Sequence, residues 1–389
     1  MIKKQLYLVS LLFLMLPTLS YAGCAVLSND KLSAVKEPLV QLLQIEDVDA
    51  QYGYVPTDAI KYIDNLKLAL IALINERVAC ENNLSINPTQ VQQDLLNALQ
   101  LSELAEAEAI YGYDLKISVD RPKNTPNLMV VQAGFGIPCG DDNILLVYRF
   151  RGESWHLDLV WKSKPYNMIT GAFSSYIDHL VLPANKNEST KVLALHSSAD
   201  CTTNWQPLVF DVIKLADDHN PQMVLMHQKI ITYRGRGLVN INQLENGFEL
   251  QASVAMLDPD LGARRSFYRY HIDNNKIIRE QPLAKTPRDF VDEWLILGKE
   301  ELERFSNSEN TALLLQQQAK LKDRGGFYGA TKYCKKEELY EVEVIFNGTK
   351  EMDAETLQYF YVKPIKNGYL MQSIASYPNK RCYTTGGIN

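Results

Sequence analysis

Apolar positions in the first third of the chain follow the spacing of helices. Within residues 30–45 they recur close to every 3.6 residues, and a longer, more apolar run follows them. Asn87 and Pro88 are typical of a helix start, because Asn accepts a free N–H group of the first turn and Pro has none to satisfy. These patterns predict a small bundle of three helices, over 30–45, 57–79 and 87–110.

The pattern changes to short alternating runs between residues 114 and 285, and these runs repeat. Similar strand-like segments begin at Asn127, Lys191 and Phe248. An aromatic residue lies in a later strand of each unit, at Tyr148, Phe210 and Tyr268, with spacings of 62 and 58 residues. We predict three antiparallel units of four strands each, similar to propeller blades in period. An open array of blades and a β-sandwich both remain compatible with this pattern.

The repeat makes a prediction about two faces of each unit. If the units are equivalent, Tyr148, Phe210 and Tyr268 should point to the same side of their sheets. The residues that follow them, Arg149, Asp211 and Arg269, should then lie on the opposite side, since neighbours on a strand alternate. We expect Asp211 to contribute little to stability on that outer side.

Helical and then strand-like patterns return after residue 286. Thr286 and Pro287 are typical of a helix start, and a second helix is predicted over 312–322. Three strand-like runs follow over 339–346, 357–365 and 369–375, and the Asn367-Gly368 pair between the last two is a strong hairpin signal. This order of elements resembles the NTF2-like α+β cone. The resemblance implies a ligand pocket in some families and an interaction module in others, and it assigns no site residue.

These patterns together predict a multidomain α+β protein. The expected divisions are a signal peptide over 1–22, a helical domain over 23–113, a β-repeat domain over 114–285 and an NTF2-like domain over 286–389.

The N-terminus has the features of an export signal. Lys3 and Lys4 precede an apolar run over 6–16, and small residues at Ser20 and Ala22 fit a signal peptidase site. The run is far shorter than the ~20 residues that a transmembrane helix needs. We therefore predict an exported protein, periplasmic or secreted, with no transmembrane anchor after cleavage. Lipid attachment at Cys24 is the less favoured alternative, because Tyr21 stands where an aliphatic residue is expected.

The cysteines suggest disulfides rather than catalysis. Six cysteines in an exported chain favour disulfide bonds, and fifteen pairings are open to them. Pairing in sequence order gives each of the three predicted domains its own bridge. We predict the bridges Cys24–Cys80, Cys139–Cys201 and Cys334–Cys382.

Charge and motifs exclude several classes of function. The net charge of −6 becomes −8 when Lys3 and Lys4 are removed, which argues against nucleic acid or anionic lipid as a partner. The sequence contains no P-loop, dinucleotide fingerprint, nucleophile elbow or zinc-protease helix. We therefore predict no cofactor.

Two groups of residues are weak candidates for chemistry. His196 and Asp200 lie four apart at the end of a predicted strand, where they could share a proton or a metal. Asp258 and Asp260 could offer oxygens to calcium, although turn residues have the same composition and the spacing is not that of an EF-hand.

A strand and a loop are expected to expose two further acidic residues. His156 and Asp158 alternate with apolar residues and should face solvent. Asp142 belongs to an acidic run that we expect at a loop tip.

The functional hypotheses are therefore two. The first is an exported, non-enzymatic binding or interaction protein whose partner is a protein or a glycan, recognised by exposed aromatic side chains. The alternative is an envelope hydrolase with a dispersed site near His196.

Overall fold

The computed structural model describes most of the chain in segments. They are residues 27–46, 55–101, 109–138, 140–163, 177–182, 189–197, 205–217, 220–233, 239–258, 262–280, 284–322, 324–348, 355–366 and 368–384. These residues form six helices and seventeen strands, and the chain divides into two compact units, Met1–Ile169 and Thr170–Asn389. The predicted signal peptide, with its boundary at residue 22, lies outside the described residues.

The first unit begins with three helices. They are α1 (Asn29–Leu43), α2 (Thr57–Ala79) and α3 (Pro88–Leu99). The Asn87 side chain accepts a hydrogen bond from the backbone N–H of Thr89, at 3.0 Å, so the predicted cap is confirmed. Helix α3 ends earlier than expected, at Leu99, and the next residue, Gln100, has the left-handed conformation. No helix among the described residues is long and apolar enough to cross a membrane.

A four-stranded antiparallel sheet completes the first unit. Its strands follow in chain order as β1 (Lys116–Asp120), β2 (Leu128–Ile137), β3 (Gly140–Arg151) and β4 (Ser154–Lys162). Asp142 does not lie at a loop tip as expected. It is a fully buried residue of β3, where its carboxylate lies 3.1 Å from the Lys67 ammonium of α2 and accepts a hydrogen bond from the Ser163 hydroxyl.

The expectation for Asp158 was also wrong. Its carboxylate is buried and accepts a hydrogen bond from the Arg149 guanidinium at 2.6 Å. The reason is a bulge between β3 and β4, where Val147 pairs with Leu159 but Tyr148 pairs with Leu157. Because Asp158 is the extra residue, simple alternation does not apply to it.

The second unit opens with two four-stranded meanders. The first contains β5 (Ile177–Leu182), β6 (Lys191–Ser197), β7 (Trp205–Lys214) and β8 (Met223–Tyr233). The second contains β9 (Asn240–Leu244), β10 (Gly247–Ala255), β11 (Ala263–Asp273) and β12 (Lys276–Arg279). Within the residues that the structure describes, a bridge between Thr232 and Val254 links the two into one open sheet of eight strands.

The three meanders are equivalent in the way that the sequence predicts. Tyr148, Phe210 and Tyr268 each lie on the third strand of their meander, and all three are buried. Each is paired with an apolar residue of the second strand. These partners are Met129, Leu195 and Leu250. The meanders of the second unit share one core, in which the Phe210 and Tyr270 ring centroids lie 5.8 Å apart.

Helices followed by a sheet form the rest of the second unit, as predicted. The helices are α4 (Pro287–Ile296), α5 (Lys299–Arg304) and α6 (Thr311–Leu321). The strands are β13 (Gly326–Cys334), β14 (Leu339–Phe346), β15 (Thr356–Ile365), β16 (Gly368–Ala375) and β17 (Tyr383–Thr384), in the antiparallel order β16-β15-β14-β13-β17. Thr286 and Asp289 form a capping box at the start of α4.

A disulfide joins Cys334 to Cys382 and holds the last short strand against β13. Cys80 is also disulfide-bonded. Cys24, Cys139 and Cys201 lie outside the described residues, so the two other pairings stay predictions.

A buried ion network joins the third meander to α4. The Glu293 carboxylate accepts hydrogen bonds from Arg264 of β11, at 2.9 Å, and from Arg279 of β12. All three side chains are at most 7 % exposed. Burial alone would raise the pKa of Glu293, but the two guanidinium groups outweigh it and lower that pKa to about 2. Each buried charge in this network is therefore compensated by an opposite charge at hydrogen-bond distance.

We predict that Glu293→Gln lowers the free energy of unfolding by about 3–5 kcal/mol, because two buried guanidinium groups lose the carboxylate that they share. Among the described residues, Arg264 then keeps only Asp292 as a charged partner, and Arg279 keeps only Glu301. The folded-state pKa of about 2 lies below the ordinary value of 4.5, so the stabilisation is complete above that value and is lost as the pH falls towards 2. Urea denaturation across this pH range measures both effects. Glu300→Gln, at an exposed position of α5, is the matched control and should leave the midpoint unchanged.

Candidate functional site

Three polar side chains meet on one face of the first meander of the second unit. Asp211 lies on β7, between His196 of β6 and His227 of β8. His227 is the direct register partner of Asp211, and His196 lies two residues beyond Ala194, the partner on the other side. Because residues two apart on a strand share a face, the antiparallel pairing brings both imidazoles to one carboxylate.

The imidazole of His227 lies closer to the Asp211 carboxylate than the imidazole of His196 does. The His227 Nδ1 atom lies 2.6 Å from Asp211 Oδ1, and the His196 Nε2 atom lies 3.9 Å from Asp211 Oδ2. The Asp211 and His196 side chains are 11 % and 13 % exposed, whereas that of His227 is 55 % exposed. The cluster is therefore open to solvent on the β8 side.

Electrostatics favour a charged Asp211. Burial would raise the pKa of its carboxyl group, but hydrogen bonds from His196 and His227 outweigh burial and leave that pKa below its ordinary value. From its surroundings, Asp211 should contribute more to stability than the sequence alone leads us to expect. It does face away from Phe210, but its carboxylate is buried and is held from both neighbouring strands.

The same position carries a cross-strand ion pair in the other two meanders. Arg149 follows Tyr148 and binds Asp158 across β3 and β4, at 2.6 Å. Arg269 follows Tyr268 and binds Glu249 across β11 and β10, at 2.7 Å. Asp211 occupies the equivalent place after Phe210. The histidine cluster is thus a variant of a polar contact that recurs in each repeat and ties its strands together.

Of the other candidates from the sequence, only Asp258 lies within the described residues. Asp200 and Asp260 lie outside the described residues, and Asp258 is buried three residues after the end of β10. Within the segments that the structure describes, no group of three or more His, Cys, Asp or Glu side chains is arranged to hold a metal ion.

The sequence identified His196 but missed its neighbours. Asp211 and His227 lie 15 and 31 residues further along the chain, a separation that no local motif covers. The available signal was the repeat itself, which placed Asp211 on a third strand with a charge on its outer side. The register of β8, which brings His227 opposite Asp211, depends on the folded meander.

We predict that Asp211→Asn lowers the free energy of unfolding by about 1–3 kcal/mol at neutral pH, because both imidazoles lose a charged acceptor. The lowered folded-state pKa means that this contribution is present above the ordinary pKa of Asp and disappears as the pH falls through the folded value. Thermal unfolding of both proteins across the acid range measures it. Asp120→Asn, at the exposed end of β1, is the control. Equal destabilisation at all pH values would contradict an electrostatic role.

Comparisons with known proteins assign no family to this chain. No protein-family model matches it, and neither a curated protein nor a solved structure gives a significant match. Its function is therefore inferred from its own residues and their geometry.

Proposed function

We propose that this chain is an exported, non-enzymatic interaction protein that binds an extended segment of a partner protein along strand β8. The observation that carries the proposal is the exposure of β8 over most of its eleven residues. A strand stretch that lacks a neighbour along one side presents backbone N–H and C=O groups that can pair with another chain, and partner binding by strand addition uses this property.

The pairing of β8 is one-sided among the described residues. Towards β7 it pairs along its whole length, from Met223 with Lys214 to Tyr233 with Trp205. Towards β10, among the described residues, it pairs at Thr232 with Val254. The part of β8 before Thr232 is therefore the part that suits an added strand.

Large apolar side chains on β8 are exposed to solvent. Met223, Val224 and Ile231 are 47 %, 55 % and 46 % exposed. The equivalent fourth strands differ: β4 has several buried residues, including Trp155 and Leu159, and β12 is only four residues long. Exposed apolar residues grouped on one strand are typical of interaction sites.

The chemistry of β8 indicates what its partner looks like. His227, Lys229 and Ile231 alternate along one face of the strand and are exposed. A partner segment with apolar residues at alternate positions and a carboxylate opposite Lys229 would match this face. The hydrogen bond from His227 to Asp211 holds the centre of β8 in place, so a partner would meet a preformed strand.

Export supports the same proposal. The predicted signal peptide and the disulfide between Cys334 and Cys382 fit an oxidising compartment outside the cytoplasm.

Selection of linear peptides from a display library on the immobilised protein tests the proposal. We predict enrichment of extended peptides with alternating apolar residues and an acidic residue. The Val224→Lys and Ile231→Lys variants should each bind the selected peptides roughly tenfold or more weakly, because apolar contact is lost and charge is added. Hydrogen exchange of the β8 amides should slow when peptide is bound.

A variant with lysine at Leu313 is the matched control, since this residue of α6 is 55 % exposed but lies away from β8. The proposal would be overturned if the selection yields no peptide. It would also be overturned if the selected peptides bind the β8 variants as tightly as they bind the Leu313→Lys control.

The hydrolase alternative has one observation in its favour. Asp211 orients the Nδ1 side of His227 and leaves the ring half exposed, which is how a carboxylate positions a general base. Turnover of a panel of nitrophenyl esters tests it. A hydrolase would lose its activity in folded His227→Ala and His196→Ala variants, whereas an interaction protein shows no turnover above buffer in any variant.

A further inference from the structure

Three half-buried tyrosines form a row at one end of the C-terminal sheet. Tyr333 of β13 and Tyr340 of β14 are register partners, and their ring centroids lie 5.2 Å apart. Tyr369 of β16 lies 6.4 Å from Tyr340, and on its other side the ring of Phe290 lies 5.7 Å away. The row therefore crosses the sheet and meets the first turns of α4.

The tyrosines lie on the face of the sheet that packs against the helices. Along this face of β14, Val342, Val344 and Phe346 are fully buried in the core that α4 and α6 help to form. Tyr340 is the next residue on the same face, and it is only half-buried. The same change occurs on β16, from the buried Met371 to the half-buried Tyr369. The core is thus closed at one end and open at the tyrosine row.

Tyrosine at such an opening differs from tyrosine within a core. Its ring offers apolar and aromatic surface, and its hydroxyl offers a hydrogen bond at the boundary with water. Sites that hold small ligands combine an aromatic lining with a few polar groups. The row has this composition.

The charges at the opening nearly cancel. Arg288 and Asp289, in the first turn of α4, are both half-buried. The Arg288 guanidinium donates hydrogen bonds to Thr331 Oγ1 and to the Gly329 carbonyl, at 3.1 and 2.7 Å. Asp289 directly precedes Phe290, whose ring lies beside Tyr369. Burial, Tyr340 and then Asp289 raise the pKa of Tyr369.

An adjacent cation and anion select against a charged ligand. A cationic ligand would be attracted by the ring faces and by Asp289 but repelled by Arg288. An anionic ligand would be attracted by Arg288 but repelled by Asp289 and the ring faces. A neutral ligand ring with an apolar face and many hydroxyl groups is repelled by neither charge. Its C–H face can stack on the tyrosines while its hydroxyls bond to tyrosine, carboxylate and guanidinium groups.

We infer that the row of Tyr333, Tyr340 and Tyr369, together with Arg288 and Asp289, is a binding site for a neutral saccharide. The site does not depend on β8, and it gives the C-terminal sheet a ligand-binding role of its own.

Calorimetric titration of the full chain with maltopentaose, cellopentaose and chitopentaose tests the inference. We expect at least one of these oligosaccharides to bind with an affinity that does not change between low and high salt. Tyr333→Ala should weaken that binding by roughly tenfold, because a stacking surface is lost. Tyr340→Phe keeps the ring and should weaken binding only by roughly threefold, through its hydroxyl.

Tyr377→Ala is the matched control, since this tyrosine is 82 % exposed and belongs to the same part of the chain. It should bind as the unchanged protein does. Circular dichroism of each variant shows whether the fold is retained, and Tyr340→Phe keeps the test valid if Tyr333→Ala does not fold. Absence of binding by all three saccharides, equal loss in Tyr377→Ala, or preferential and salt-sensitive binding of tetramethylammonium or a sulfated saccharide would overturn the inference.

Discussion

The carboxylate of Glu293, buried between the guanidinium groups of Arg264 and Arg279, is the contact on which the second unit depends. Glu293 lies on α4, the first helix of the C-terminal part. Arg264 and Arg279 lie on β11 and β12, the last two strands of the third meander. Charges this deeply buried are tolerated only when they are paired, so α4 has one place in which it can pack. That place also positions the first turn of α4 over the C-terminal sheet, beside the tyrosine row.

The repeats use one plan for two purposes. An aromatic residue on the third strand fills the core, and the charged residue that follows it binds a neighbouring strand from the opposite side. In the second repeat this plan holds Asp211 between two imidazoles. The result is a strand, β8, that is paired with β7 along its whole length and has six of its eleven residues exposed. Order without burial is what a strand needs if it is to bind another chain at little cost in conformational entropy.

The two proposed binding surfaces differ in the physics that they use. Strand β8 offers backbone groups and exposed apolar side chains, which suit a polypeptide. The tyrosine row offers ring faces and hydroxyls beside a balanced pair of charges, which suit a neutral polar ring. The sheet that carries the row continues into a buried apolar core at its other end, and Tyr340 and Tyr369 pack against this core.

The sequence by itself determined the elements and their equivalence, because periodicity, caps and repeat spacing are local properties. It placed Tyr148, Phe210 and Tyr268 on equivalent strands, and it placed the helices of the C-terminal part before its sheet. Tertiary structure alone decided which charges are buried. The bulge at Asp158 and the register that sets His227 against Asp211 depend on pairing between distant segments, and so does the meeting of Glu293 with its two arginines. The local pattern of residues along the chain does not predict these contacts, because strand register and helix docking are fixed only when the whole core packs.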